Sequence, residues 1–97
     1  MVYLLGIDSG TSSVKVSLFD HEKGMITRAS IPCPPIYADG HVEIDMNVYW
    51  QACKDCIHEI ALQKPDELKK VRAVSVSSQA VTFVCVDEHG NTLRNAI

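Results

Sequence analysis

Long apolar runs, clustered basic charge and an export leader are all missing from this 97-residue chain, and each absence narrows what it can do. The longest apolar stretch, Val81 to Val86 with Thr82 inside it, is far too short to cross a bilayer, so no membrane partner is expected. The amino terminus has neither the charged start nor the long apolar core of a secretory signal, and a cytoplasmic location is the expectation. No basic cluster exceeds Lys69-Lys70 and the net charge is −3, which argues against a nucleic-acid partner. Repeats and low-complexity tracts are absent too. Cysteine is present four times, at Cys33, Cys53, Cys56 and Cys85, but no second pair at zinc spacing accompanies Cys53-x-x-Cys56. That pair falls on the apolar face of a predicted helix, about two turns in, where a redox pair would not be exposed. Reduced, packed thiols are the expectation.

What is present suffices for one small domain, or for part of a larger one. The hydrophobic share is 46% and the charged share 22%, values of an ordinary packed domain. A chain of this length buries roughly 60–65% of its unfolded surface, so its core has little to spare.

The chain is organised around Leu4-Leu5-Gly6-Ile7-Asp8-Ser9-Gly10-Thr11-Ser12-Ser13-Val14-Lys15. An apolar run ends in a carboxylate, a glycine turn and three hydroxyls follow, and a second alternating run begins. This reads as two strands joined by a tight turn. A positive φ at Gly10 would let the backbone N–H groups of Ser9 to Ser13 converge on one point and form an anion site suited to phosphate. Asp8, at the mouth of the turn, suits a hydrated Mg²⁺ riding on that phosphate. Two other readings fit the same turn. One is a surface hairpin with a polar tip; the other is an aspartic-protease half-site, which also places Asp-Ser-Gly-Thr after apolar residues.

Taken in order, Val2 to Ile7 is a strand expected to be buried on both faces. Val14 to Asp20 is a second strand, with Val14, Val16 and Leu18 on one face and Lys15, Ser17 and Phe19 on the other. A turn at His21 to Gly24 leads to a third strand, Met25 to Ile31, and the short connections imply an antiparallel meander. Pro32 to Pro35 ends it. The segment through Gly40 and His41 reads as loop. Asp45 is placed as the N-cap of an amphipathic helix with Tyr49, Ala52, Cys53, Cys56, Ile57, Ile60 and Ala61 on its apolar side, ended by Pro65. Trp50 flanks that stripe and is expected to pack in the core. His41 and Glu43 sit in the loop before it, His41 in solvent. Val71 to Ser77 is the next strand, parallel to a neighbour because a helix precedes it, and Val81 to Asp87 is another. The order is β-β-β-α-β-β: a mixed α/β sheet with one helix on it. Gln79, just past a strand's carboxyl end, is a candidate for a substrate hydrogen bond, or simply a polar strand end in water.

Several of these pieces together resemble one family. Gly6-Ile7-Asp8-Ser9-Gly10-Thr11-Ser12-Ser13-Val14-Lys15 is similar to the first phosphate motif of the FGGY carbohydrate kinases. Val42-Glu43-Ile44-Asp45 before Tyr49-Trp50 resembles their acidic segment ahead of a tryptophan-bearing helix. Val74 to Asp87, with Gln79 eight residues before Asp87, resembles their strand–glutamine–strand block, and Leu93-Arg94-Asn95-Ala96-Ile97 the stretch after it. The resemblance runs end to end and in order. It also disfavours the protease, for which Asp8 is too early and a central amphipathic helix out of place.

The resemblance implies the ribonuclease H-like, actin-like ATPase fold, with residues 1–97 forming an incomplete first domain. It implies ATP and Mg²⁺ as cofactors and transfer of a phosphoryl group to a hydroxyl of a small-molecule sugar or polyol. By position, Asp8 would organise the metal, Gly10, Thr11, Ser12 and Ser13 would cradle phosphate, and Lys15 would stand near it. Gln79, Ala80 and Val81 would fall in the sugar site, although Ala80-Val81 replaces polar pairs common there and leaves the sugar unassigned. The family's catalytic base, an Asp, and its second domain would lie beyond position 97, so these residues alone are expected to be inactive. Two further readings stay open: a non-catalytic binding or regulatory module that keeps the fold, and another actin-like ATPase. A sheet without later helices should expose an apolar face and self-associate through it.

Overall fold

The structure, a computed structural model, describes residues 2–78 and 84–96. Strands β1 (Tyr3–Ser9), β2 (Ser13–Asp20) and β3 (Gly24–Pro32) form the antiparallel meander that the short turns predict. The β1–β2 register runs from Tyr3 opposite Asp20 to Ser9 opposite Val14. The hairpin to β3 is tightened by Asp20, which is buried and accepts the N–H of Glu22 at 2.8 Å.

Between β3 and the main helix the chain adds a small hairpin, β4 (Ile36–Ala38) and β5 (His41–Glu43), where the sequence reads as loop. Its turn is Asp39-Gly40, both at positive φ (48° and 80°), the dipeptide that two-residue hairpin turns favour. The long helix α1 (Met46–Gln63) begins as expected: Asp45 caps it by accepting the N–H of Asn47 at 2.9 Å. Pro65 does not end the helical region; it opens a short second helix, α2 (Pro65–Lys69), at a position where its missing N–H costs nothing. Strand β6 (Val71–Ser78) then pairs with β1 in parallel, giving the sheet order β3-β2-β1-β6.

The core lies between one sheet face and α1. Val14, Val16 and Leu18 of β2 are at most 1% exposed, and Tyr49, Ala52, Cys56 and Ile60 of α1 pack over them. α1 packs over β2 and β3, and Tyr3 and Leu5 of β1 join the same core with Ile7 packed against it, whereas Val74 and Val76 of β6 stay exposed. Two expectations change accordingly. β1 is not buried on both faces: Tyr3 and Leu5 are buried, Gly6 is half-buried, and Asp8 is exposed. Trp50 is not in the core but 63% exposed, its ring under the Lys54 ammonium at 5.5 Å.

The strand expected at Val81 to Asp87 falls partly outside the described residues. What is described of it, Val84 to Asp87, forms a single bridge, Val86 to Thr92, inside a compact turn. Asp87 closes that turn by accepting the N–H groups of His89 and Asn91 at 2.8 and 2.9 Å, and these bonds hold its carboxyl below the usual range. The following residues dock on the β5–α1 junction. Ile44 and Ala96 exchange two backbone bonds at 2.7 and 2.8 Å, and Asn47 Nδ2 donates to Thr92 Oγ1 at 2.9 Å.

Candidate functional site

The turn between β1 and β2 is narrower than the sequence suggests. Gly10 N–H donates to the Ser13 carbonyl at 2.9 Å, and Cys33 N–H donates to the Ser12 carbonyl at 2.8 Å, which fastens the turn to the end of β3. Ser9 and Ser13 are strand residues. The five N–H groups from Ser9 to Ser13 therefore do not converge as a set; those of Thr11 and Ser12 are the ones without a described partner. The reason for glycine also differs from expectation. Gly10 is not among the positive-φ glycines, but a Cβ there would stand 3.3 Å from the Ser13 carbonyl oxygen. Close backbone approach, rather than left-handed conformation, is what position 10 requires.

Asp8 sits one residue before the turn, on the sheet face away from α1. It is opposite Lys15 across the hairpin and beside Ser77 of β6. With Gly6, Ser17, Phe19 and Ser75, these three line an open groove of about 230 Å³. Asp8 and Lys15 are in no salt bridge among the described residues, and the hydroxyls of Thr11, Ser12 and Ser13 have no described partner. Exposed Asp8, Thr11 and Ser12 and half-buried Ser13 and Lys15 thus gather at one end of the sheet. That end is where the carboxyl ends of the parallel strands β1 and β6 lie together, the usual place for a ligand in such sheets. Ser75 and Ser77 were not singled out from the sequence, yet the alternation in β6 and its parallel pairing put them on the Asp8 face.

Not every candidate falls here. Gln79, Ala80 and Val81 lie outside the described residues. The cysteines sit elsewhere: Cys33 and Cys56 are buried and Cys53 half-buried, and burial pushes all three thiols up, which keeps them protonated and poor as nucleophiles or ligands. Among the described residues no group of three or more His, Cys, Asp or Glu is placed to hold a metal, and the carboxylate lining this groove is Asp8. That suits Mg²⁺, which keeps several waters and takes one or two carboxylates beside phosphate oxygens. No helix of the described residues is long and apolar enough to cross a membrane.

Glu43 forms a second polar cluster. It accepts from His41 Nε2 at 3.0 Å and from Asn95 Nδ2 at 3.2 Å, joining the β4–β5 hairpin to the segment after Thr92. The bonds from Asn95 and His41 hold its carboxyl below the usual range.

Comparison with known proteins gives the family. Residues 3–97 match the model of the N-terminal domain of the FGGY family of carbohydrate kinases. The chain is 30% identical over 96 residues to a glycerol kinase of Thermococcus onnurineus, covering 98% of this chain and 20% of that protein. It is 33% identical over 96 residues to a xylulose kinase of Staphylococcus epidermidis, covering 97% and 19%. The crystal structure of a ligand-bound xylulose kinase from Lactobacillus acidophilus superposes with a TM-score of 0.86 at 26% identity, over all of this chain and 19% of that one. The chain thus spans about a fifth of the length of the relatives it matches. Its mixed sheet has the actin-like arrangement of these kinases, and the match to their N-terminal domain extends over nearly the whole chain: it belongs to the FGGY family of carbohydrate kinases.

Proposed function

We propose that these residues are the opening part of the first domain of an ATP-dependent kinase that phosphorylates a hydroxyl of a sugar or polyol. In this reading the β1–β2 turn is half of a phosphate clamp. Thr11 and Ser12 offer amides and hydroxyls, Ser13 a hydroxyl, Lys15 a positive charge, and Asp8 the carboxylate for a hydrated Mg²⁺. Gly10 keeps the turn narrow enough for those groups to share one side. The Mg²⁺-nucleotide, when bound, supplies the phosphoryl group. The chain's own contribution is to position it and offset its charge, which is most of what phosphoryl-transfer enzymes do. Gln79, Ala80 and Val81 follow β6 directly and are assigned to the acceptor side. Ala80 and Val81 have no polar side chain with which to select one sugar, so glycerol, xylulose and gluconate remain equivalent acceptors here.

The observation that carries this reading is the exposed Asp8 on the strand that leads into the turn, with no partner among the described residues for Asp8 or for the amides of Thr11 and Ser12. Calorimetry of the 97-residue chain with Mg²⁺-ATP tests the clamp. Binding is expected, and Asp8→Asn should weaken it at least ~10-fold, about 1.4 kcal/mol. Binding that ignores both Mg²⁺ and Asp8→Asn would contradict the assignment, and phosphoryl transfer to any sugar by these residues would contradict their incompleteness.

A further inference from the structure

Strand pairing sets three side chains at one level of the sheet. Asp8 of β1 stands at the centre, with Lys15 of β2 opposite it on one side and Ser77 of β6 opposite it on the other. Paired residues point to the same face and neighbouring strands lie about 4.8 Å apart, so both flanking side chains reach the surroundings of the Asp8 carboxylate. All three line the same groove. The Ser77 hydroxyl has no hydrogen-bond partner among the described residues. Ser78, one residue on, is opposite Ser9 and points to the other face.

The two flanks of Asp8 differ in what they offer a ligand. Lys15 brings three donors, a positive charge and no acceptor, which suits a phosphate oxygen and repels a cation. Ser77 brings a neutral hydroxyl with one donor and two acceptor lone pairs. Mg²⁺ keeps several of its waters when a protein carboxylate binds it. Those waters are polarised by the ion and donate hydrogen bonds, so the groups around them must accept. Of these two neighbours of Asp8, Ser77 is the one that can.

Resting on the clamp reading above, we propose that Ser77 is a positioning residue of that site: its hydroxyl oxygen accepts a hydrogen bond from a water of the Mg²⁺ that Asp8 holds, while Lys15 serves the phosphate. The division follows the strands, with the charge for phosphate on β2, the carboxylate on β1 and the acceptor for metal-bound water on β6. The parallel β1–β6 pairing therefore takes part in holding the nucleotide, alongside the β1–β2 turn. Groups that orient a metal's own ligands are worth roughly 10–100-fold in metal affinity, so the effect of one hydroxyl is measurable.

Calorimetry of the 97-residue chain with ATP, once with Mg²⁺ and once with Mg²⁺ removed by a chelator, tests the assignment. Ser77→Ala should weaken Mg²⁺-ATP binding roughly 10-fold and leave metal-free ATP binding unchanged. Ser77→Thr keeps the hydroxyl and should bind as the unsubstituted chain does, and so should Ser78→Ala on the other face. Ser77 is exposed, so its substitutions are expected to leave the fold and its thermal unfolding unaltered. Binding weakened by Asp8→Asn but indifferent to Ser77→Ala would overturn this inference and leave the clamp standing. An equal loss with and without Mg²⁺, or a loss that Ser77→Thr shares, would overturn it as well. Binding indifferent to Asp8→Asn, or no binding of Mg²⁺-ATP, would remove the clamp and the role of Ser77 with it.

Discussion

Glu43 is held by donors on both oxygens, His41 Nε2 on one and Asn95 Nδ2 on the other, with Arg94 adding positive potential. These interactions favour the charged form, so the folded-state pKa lies below the ordinary value of 4.5. A carboxyl lowered on folding stabilises the protein above its unfolded pKa, and that contribution is lost as pH falls through the folded one. The segment around Asn95 should therefore loosen in acid before the sheet does. In an NMR titration the side-chain amide of Asn95 is expected to move with the protonation of Glu43. Glu43→Gln should abolish that movement while Asp87 continues to titrate. An Asn95 signal indifferent to acid, or unchanged in its titration by Glu43→Gln, would show that the contact contributes nothing to the docking of this segment.

Among the elements, α1 decides which sheet face is core, and its two ends of the energetic scale are separable. Ile60 is fully buried, so Ile60→Ala should cost about 3 kcal/mol by leaving a cavity the sheet cannot fill. Asp45→Ala removes one cap bond and should cost about 1 kcal/mol. Urea unfolding of both variants checks the ratio; equal losses would mean that α1 is held by its own propensity rather than by the sheet. The elements legible in the sequence are those fixed by local periodicity. The alternation of Val14, Val16 and Leu18 gave β2, and the spacing of Tyr49, Ala52, Cys56 and Ile60 gave α1 and its face. Trp50 was not legible, because it lies at the margin of the stripe and exposure there depends on how far α1 extends over β1. The β4–β5 hairpin was legible in principle, since Asp39-Gly40 is a hairpin turn, but strands of three residues carry too little pattern to be recognised. The hydrogen bonding of the Gly10 turn was out of reach. Turn residues name which backbone groups can converge, not which are already spent on the neighbouring strand.

At the scale of the whole molecule, one layer of helix packs on one face of a four-stranded sheet, and the other face carries the polar cluster around Asp8. The parallel pairing of β1 with β6 acts on both faces. It brings Ser75 and Ser77 to the Asp8 face, and it leaves Val74 and Val76 without cover on the other. The proposed clamp rests on the β1–β2 hairpin, whose turn is closed by Gly10 on Ser13 and fastened by Cys33, just after β3, on Ser12. The most direct measurement is an NMR titration of the isotope-labelled chain with Mg²⁺-ATP. The account predicts that the Thr11 and Ser12 amides move first and furthest, with Asp8→Asn suppressing the shift. Perturbations that miss the turn, or that centre on the Glu43–Asn95 cluster instead, would contradict it.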